Sequence, residues 1–170
     1  MNNARALTSA LALAAVIFIA DRASKWFVVE HLDLKTVGDI AVSPVFNLRM
    51  AWNTGVNFGV FAGSGEVARW ALIAVAVIAA VALAVWTARA GRRAVWLGAG
   101  MIIGGAVGNA WDRATYGAVA DFLNVTCCGL YNPWAFNVAD IAIFVGVGVL
   151  LLFDRNAGET APERPESGDS

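Results

Sequence analysis

The chain has 170 residues, 59% of them hydrophobic and only 15% charged, with a formal net charge of -1. That composition is too apolar for a soluble domain of this length and reads as an integral membrane protein. No basic block or aromatic-interleaved Lys/Arg patch is available to hold phosphates, so nucleic acid is excluded as a partner. Adjacent Cys127 and Cys128 with a single histidine, His31, make poor metal-site material, and neither a metal nor another cofactor is expected.

Four apolar windows are long enough to cross hydrocarbon, at residues 7–29, 67–88, 94–112 and 134–153, and they predict a mainly α, four-transmembrane-helix bundle. Arg5, the apolar run after it and small Ala20 look like a cleavable leader. The apolar character resumes through Trp26, Phe27, Val28 and Val29, so the window is read as a retained span. The link RAGRR between the second and third windows carries Arg89, Arg92 and Arg93; short basic links stay in the cytoplasm, which puts both termini inside and the other two links outside. Residues 1–153 then form the membrane-embedded domain. The tail 154–170, with five acidic residues against two arginines, is expected to be disordered.

The first outer link carries a predicted β region at 36–62, a small periplasmic sheet between helices 1 and 2. Within it Phe46, Leu48, Met50 and Trp52 alternate with Asn47, Arg49, Ala51 and Asn53, a period of two with one apolar face to lay on the membrane surface. NTGVNFG follows with turn-forming Asn and Gly. Ahead of the last window, Asn132 and Pro133 predict a helix cap and first-turn proline. Trp26, Trp52, Trp111 and Trp134 suit interfacial anchoring.

The polar residues inside the spans all fall in the outer half. At about 1.5 Å per residue, Asp140 is expected roughly 10 Å and Asp21 roughly 12 Å below the outer ends of their spans. Asp21 and Lys25 are four apart on one helical face and can neutralise each other; Asp112 beside Arg113 suggests another local balance. Gly100, Gly104, Gly108 and Asp112 recur every fourth residue, a stripe of bare backbone for close helix packing, with room left for a bound chain near Gly105, Gly108 and Asn109.

Asp140 has no cation within a turn, and Asp121, in GAVADFLNV, is likewise flanked by apolar residues. Two such carboxylates at one membrane face, meeting around one water, would share a proton, one activating the water while the other protonates a peptide carbonyl. The same residues also suit a proton-coupled transporter site or structural polar contacts in a non-catalytic scaffold.

DRASK (Asp21–Lys25), NTGVNFG (Asn53–Gly59), GGAVGNAWDR (Gly104–Arg113), VADFL (Val119–Leu123) and FNVADIAIF (Phe136–Phe144) together resemble lipoprotein signal peptidase, also called signal peptidase II, in the order of that family's motifs. The resemblance implies an aspartic endopeptidase of the bacterial inner membrane that cuts the signal peptide from diacylglyceryl-modified prolipoproteins just before the lipidated cysteine. It implies Asp121 and Asp140 as the catalytic dyad near the periplasmic face, and Asn53, Asn109, Arg113 and Asn137, with Gly55 and Gly108 of the same motifs, as the shell that holds substrate and orients the dyad. Asp21 and Lys25 would support it, membrane lipids would surround it, and one site per chain makes a monomer the default. The sequence departs from the family pattern at Val56 and Asn57, where small residues are usual, and in NVTCCGLYNPWAF between the two acids.

Overall fold

The structure is a computed structural model that describes residues 2–55, 65–126 and 132–153. Val56 and Asn57, Cys127 and Cys128, and the acidic tail lie outside the described residues. Helix α1 (Asn3–Trp26) runs into a π-helical turn (Phe27–His31), followed by the short α2 (Leu34–Val37), strands β1 (Ile40–Ser43) and β2 (Phe46–Asn53), helices α3 (Gly65–Ala90) and α4 (Arg93–Tyr116), strand β3 (Val119–Val125) and α5 (Val138–Phe153). Among the described residues, three helical segments, Asn3–His31, Gly65–Ala90 and Arg93–Tyr116, are long and apolar enough to cross a membrane. The fourth expected span is a shorter apolar helix of 16 residues, about 24 Å at the α-helical rise.

Helix α4 is the centre of the bundle and packs on α1, α3 and α5. Its glycine stripe explains how. A Cβ on Gly100 would lie 2.7 Å from the Ala10 carbonyl oxygen and one on Gly104 2.6 Å from that of Ala14, so the α1 backbone occupies the space. On the opposite side Gly98 and Gly146 allow the same approach between α4 and α5, each Cβ falling within 2.8 Å of the other's carbonyl oxygen. With no difference in apolarity between helix and lipid to drive association, such close contact is what holds membrane helices together. Large apolar side chains point outward instead: Val75, Ile78 and Val81 on α3, and Phe144, Leu151 and Leu152 on α5 are exposed.

The sheet has three antiparallel strands in the order β1-β2-β3. The expected sheet drew only on the link between helices 1 and 2; VADFLNV of the second outer link supplies the third strand, its alternating apolar residues pairing with β2. Leu48 and Met50 pack with Ile40 and Leu123 on a buried cluster of Val28, Leu34 and Phe122, so this apolar surface is covered by the protein's own core. A further correction concerns 132–136. Asn132 and Pro133 do not start the last helix: Phe136 pairs with Leu123 across the free edge of β3, and the helix begins only at Val138. Pairing with β3 satisfies backbone groups that a first helical turn would have left open.

Candidate active site

Asn137 caps α5. Its side-chain oxygen accepts the Asp140 backbone N–H at 2.9 Å while the Asp140 carboxylate accepts the Asn137 backbone N–H at 3.2 Å, the reciprocal arrangement of a capping box. Asp140 therefore sits in the first turn of its helix rather than roughly 10 Å inside it. Asn137 also reaches outward: its amide nitrogen donates to Asp121 Oδ1 at 2.6 Å and to Asn109 Oδ1 at 3.1 Å. Asn109 in turn donates to Asp140 Oδ1 at 2.8 Å. Two amide side chains thus bind both carboxylates into one cluster.

Asp121 is held from its other side by Asn53, whose amide nitrogen donates to Asp121 Oδ2 at 3.0 Å. A β-bulge makes this contact possible. Leu48 lies opposite Leu123 and Ala51 opposite Asp121, so β2 spends three residues where β3 spends two. The extra residue rotates the strand, and Ala51 and Asn53 emerge on the face they would otherwise have turned away from. Asn53 is fixed further by accepting the Gly55 N–H at 2.8 Å, with Gly55 at φ +76. Gly55 and Asn53 begin the approach to Arg113: a Cβ on Gly55 would be 3.4 Å from the Arg113 guanidinium. The charge of Arg113 acts on both Asp121 and Asp140, and its Nη1 donates to the Asn109 carbonyl at 3.4 Å. A cleft of ≈ 190 Å³ opens beside Asp121, lined by Trp52, Asn53, Thr54 and the 133–135 segment.

Asp121 is 2% exposed. Burial, and then the negative charge of Asp140, raise its pKa from 3.8 to about 6, against the opposing hydrogen bonds from Asn53 and Asn137. No Lys or Arg lies within ion-pairing distance of either carboxylate among the described residues.

Next to this cluster lies a layer of a different kind. Asp21 and Lys25 pair at 2.9 Å as their spacing predicts, but Asp112 does not pair with Arg113. It pairs with Lys25 at 2.7 Å and with Arg22 at 2.6 Å, and Arg22 also holds Asp21 at 2.8 Å. Two acids and two bases are therefore neutralised in a square between α1 and α4, with Asp21, Lys25 and Asp112 buried and Arg22 half-buried at its edge. Its spare hydrogen-bonding capacity goes to the site: Asp21 accepts the Ala139 N–H at 3.1 Å, Asp112 accepts the Ala120 N–H at 3.2 Å, and Lys25 donates to Asn109 at 3.2 Å. The space above Gly108 is filled by the Asp21 carboxylate, 2.7 Å from where a Cβ would stand, and that above Gly105 by the Ala139 backbone, so the room expected for a bound chain is occupied from within. Sequence reasoning missed Arg22 and the partnership of Asp112. DRASK displayed Arg22, but its partner lies on another helix, far along the chain.

Residues 13–154 match the family model for signal peptidase (SPase) II. The lipoprotein signal peptidase of Rhodopseudomonas palustris (strain TIE-1) is 45% identical over 90% of this chain and 95% of its own length. That of Methylobacterium sp. (strain 4-46) is 44% identical over 87% of this chain and 89% of its own. In fold, the chain is similar to a bacterial membrane enzyme solved by the in meso method at 2.3 Å resolution, with a TM-score of 0.73 and 21% identity covering 95% of both chains.

Proposed function

This chain belongs to the signal peptidase II family, a membrane peptidase that removes signal peptides from prolipoproteins, and we propose that Asp121 and Asp140 perform the hydrolysis as an aspartic dyad. The observation that carries this reading is Asn137, which donates to Asp121 from its side chain and to Asp140 from its backbone, so that one residue fixes both acids. Asp121 keeps its proton up to about pH 6 and takes the acid role.

Asp140 removes a proton from water as the water oxygen bonds to the scissile carbonyl carbon, and Asp121 gives its proton to the carbonyl oxygen. The resulting gem-diol collapses when Asp140 passes its proton to the amide nitrogen and Asp121 recovers one from a hydroxyl. The C–N bond breaks, leaving a carboxyl group on the signal peptide and a free amine on the mature chain. No covalent enzyme intermediate is required. Arg113 offers a positive charge beside the dyad and the Asn53–Gly55 turn offers a rim for substrate backbone.

Placement supports a substrate anchored in the membrane. The α3–α4 link with its arginines and the start of α1 share one end of the bundle, Asn3 donating to the Arg89 carbonyl at 3.4 Å, while the acids, the sheet and the cap of α5 share the other. With the basic end cytoplasmic, the dyad faces the periplasmic side of the inner membrane, and α5 serves as the fourth span. A cysteine carrying a diacylglyceryl group would hold the bond before it at this level, and a single chain contains the whole site, so a monomer suffices. Incubating the purified protein with a diacylglyceryl-modified precursor and its unlipidated twin tests the reading. Cleavage of the lipidated form alone is expected; equal cleavage of both would remove the lipid from recognition, and cleavage of neither would remove the activity.

A further inference from the structure

The segment 132–136 hands Asn137 to the two acids, and what holds that segment is a residue outside the dyad and its shell. Leu123 and Phe136 exchange backbone hydrogen bonds at 2.8 and 2.9 Å. Continuing that antiparallel register would set Trp134 opposite Val125. Regular ladder bonds are absent there: Pro133 interrupts the strand, and the Trp134 N–H is taken by the side chain of Asn132 at 3.0 Å. Two side-chain amides substitute. Asn132 donates to the Val125 carbonyl at 2.8 Å, and Asn124 donates both hydrogens of its amide, to the Asn132 carbonyl at 2.9 Å and the Trp134 carbonyl at 2.7 Å.

Asn124 is 0% exposed, and its oxygen accepts from Asn47 on β2 at 3.4 Å. All of its polar atoms are engaged, with both donors spent on the backbone leading to Asn137. Asp121 lies three residues before it on the same strand. β3 therefore carries one acid directly and, through Asn124, sets the position of the cap that holds the other. We propose that Asn124 is a positioning residue for hydrolysis, fixing the 132–136 strap so that Asn137 meets Asp121 and Asp140 together. This rests on the dyad reading above. Because misplacement by about 1 Å costs on the order of a hundredfold in rate, the effect belongs in turnover rather than in substrate capture.

The test compares Asn124→Leu, which keeps the branched shape and removes both donors, with Asn47→Ser, which removes the weak contact to the Asn124 oxygen together with the Asn47 bond to Thr126 Oγ1 at 3.1 Å and leaves both Asn124 donors in place. Cleavage of the diacylglyceryl precursor by each purified, folded protein is measured over substrate concentration and pH. A fall in kcat of about ten- to a hundredfold for Asn124→Leu, KM within about twofold, an alkaline limb moved upward and a near-normal Asn47→Ser are expected. Should Asn124→Leu fail to fold, Asn124→Asp keeps the shape and loses the donors, and the same outcome is expected of it. An unchanged kcat, a loss confined to KM, or an equal loss in Asn47→Ser would overturn the assignment while leaving the dyad standing. A wild type that cleaves nothing would instead bring down the dyad reading, and this one with it.

Discussion

Two buried polar clusters lie side by side at one end of this bundle, and they are built on opposite terms. In the square of Asp21, Arg22, Lys25 and Asp112 every charge has two opposite neighbours within 3 Å. In the pair Asp121 and Asp140, neutral amides supply the hydrogen bonds and no ion pair forms. Neutralised charges in a low-dielectric site are fixed and act as a brace. Carboxylates held by amides keep their capacity to exchange protons, and that is where chemistry can occur.

The largest effect separates the two directly. Asp121→Asn and Asp140→Asn each conserve shape and remove one proton-exchanging oxygen, so turnover of the lipidated precursor is expected to fall by about a thousandfold or more with the melting temperature little changed. Retained cleavage by either variant removes that carboxylate from the mechanism. Lys25→Met attacks the other cluster. It leaves Asp21 and Asp112 to Arg22 alone, and breaking a buried pair in this way costs about 3–5 kcal/mol of stability. A large drop in thermal stability in detergent is expected, with the folded fraction still active. An unchanged melting temperature with abolished turnover would place Lys25 in the chemistry and erase the distinction.

Titration sharpens the comparison at smaller amplitude. Precursor cleavage by the wild type is expected to fall as the pH rises through about 6, where Asp121 loses its proton. Its folded-state pKa is raised, so the stability tied to that proton is fully present below 3.8 and is lost as the pH rises toward 6. The Asn53 hydrogen bond opposes the shift, so Asn53→Ala moves the alkaline limb higher and lowers kcat by about tenfold, in line with a hydrogen bond to a charged group. A limb that stays in place or moves down would mean that Asn53 does not act on Asp121.

Legibility in the sequence follows the range of each interaction. Three of the expected spans, the Asp21–Lys25 pair and the Asn53–Gly55 contact rest on neighbours within a few residues, and the local pattern was enough to read them. Asn137 and Asp140 also carried a readable signal, an Asn with an acid three residues on, ahead of an apolar run. Asn132 and Pro133 offered a competing helix start and masked it, because only pairing with β3 excludes helix there. The Arg22–Asp112 pair and the β2 bulge had no local signal at all: one depends on how α1 and α4 face each other, the other on which residues of β3 lie opposite β2. Strict alternation along β2 would have turned Asn53 away from Asp121.

The smallest expected effect falls on Gly55, at the edge of the Asp121–Asp140 cluster. Its φ of +76 is left-handed, a conformation that costs an L-residue about 1–2 kcal/mol. An added Cβ would also meet the tip of Leu72 at 2.6 Å, a flexible group able to shift. Because the Gly55 N–H anchors the Asn53 oxygen, strain in the turn is relieved by loosening Asn53 from Asp121. Gly55→Ala is therefore expected to lower kcat a few-fold and to leave the melting temperature within a few degrees of wild type, read by precursor cleavage alongside thermal unfolding. The reverse result, normal turnover with a large loss of stability, would assign this turn to the scaffold and withdraw it from the dyad's surroundings.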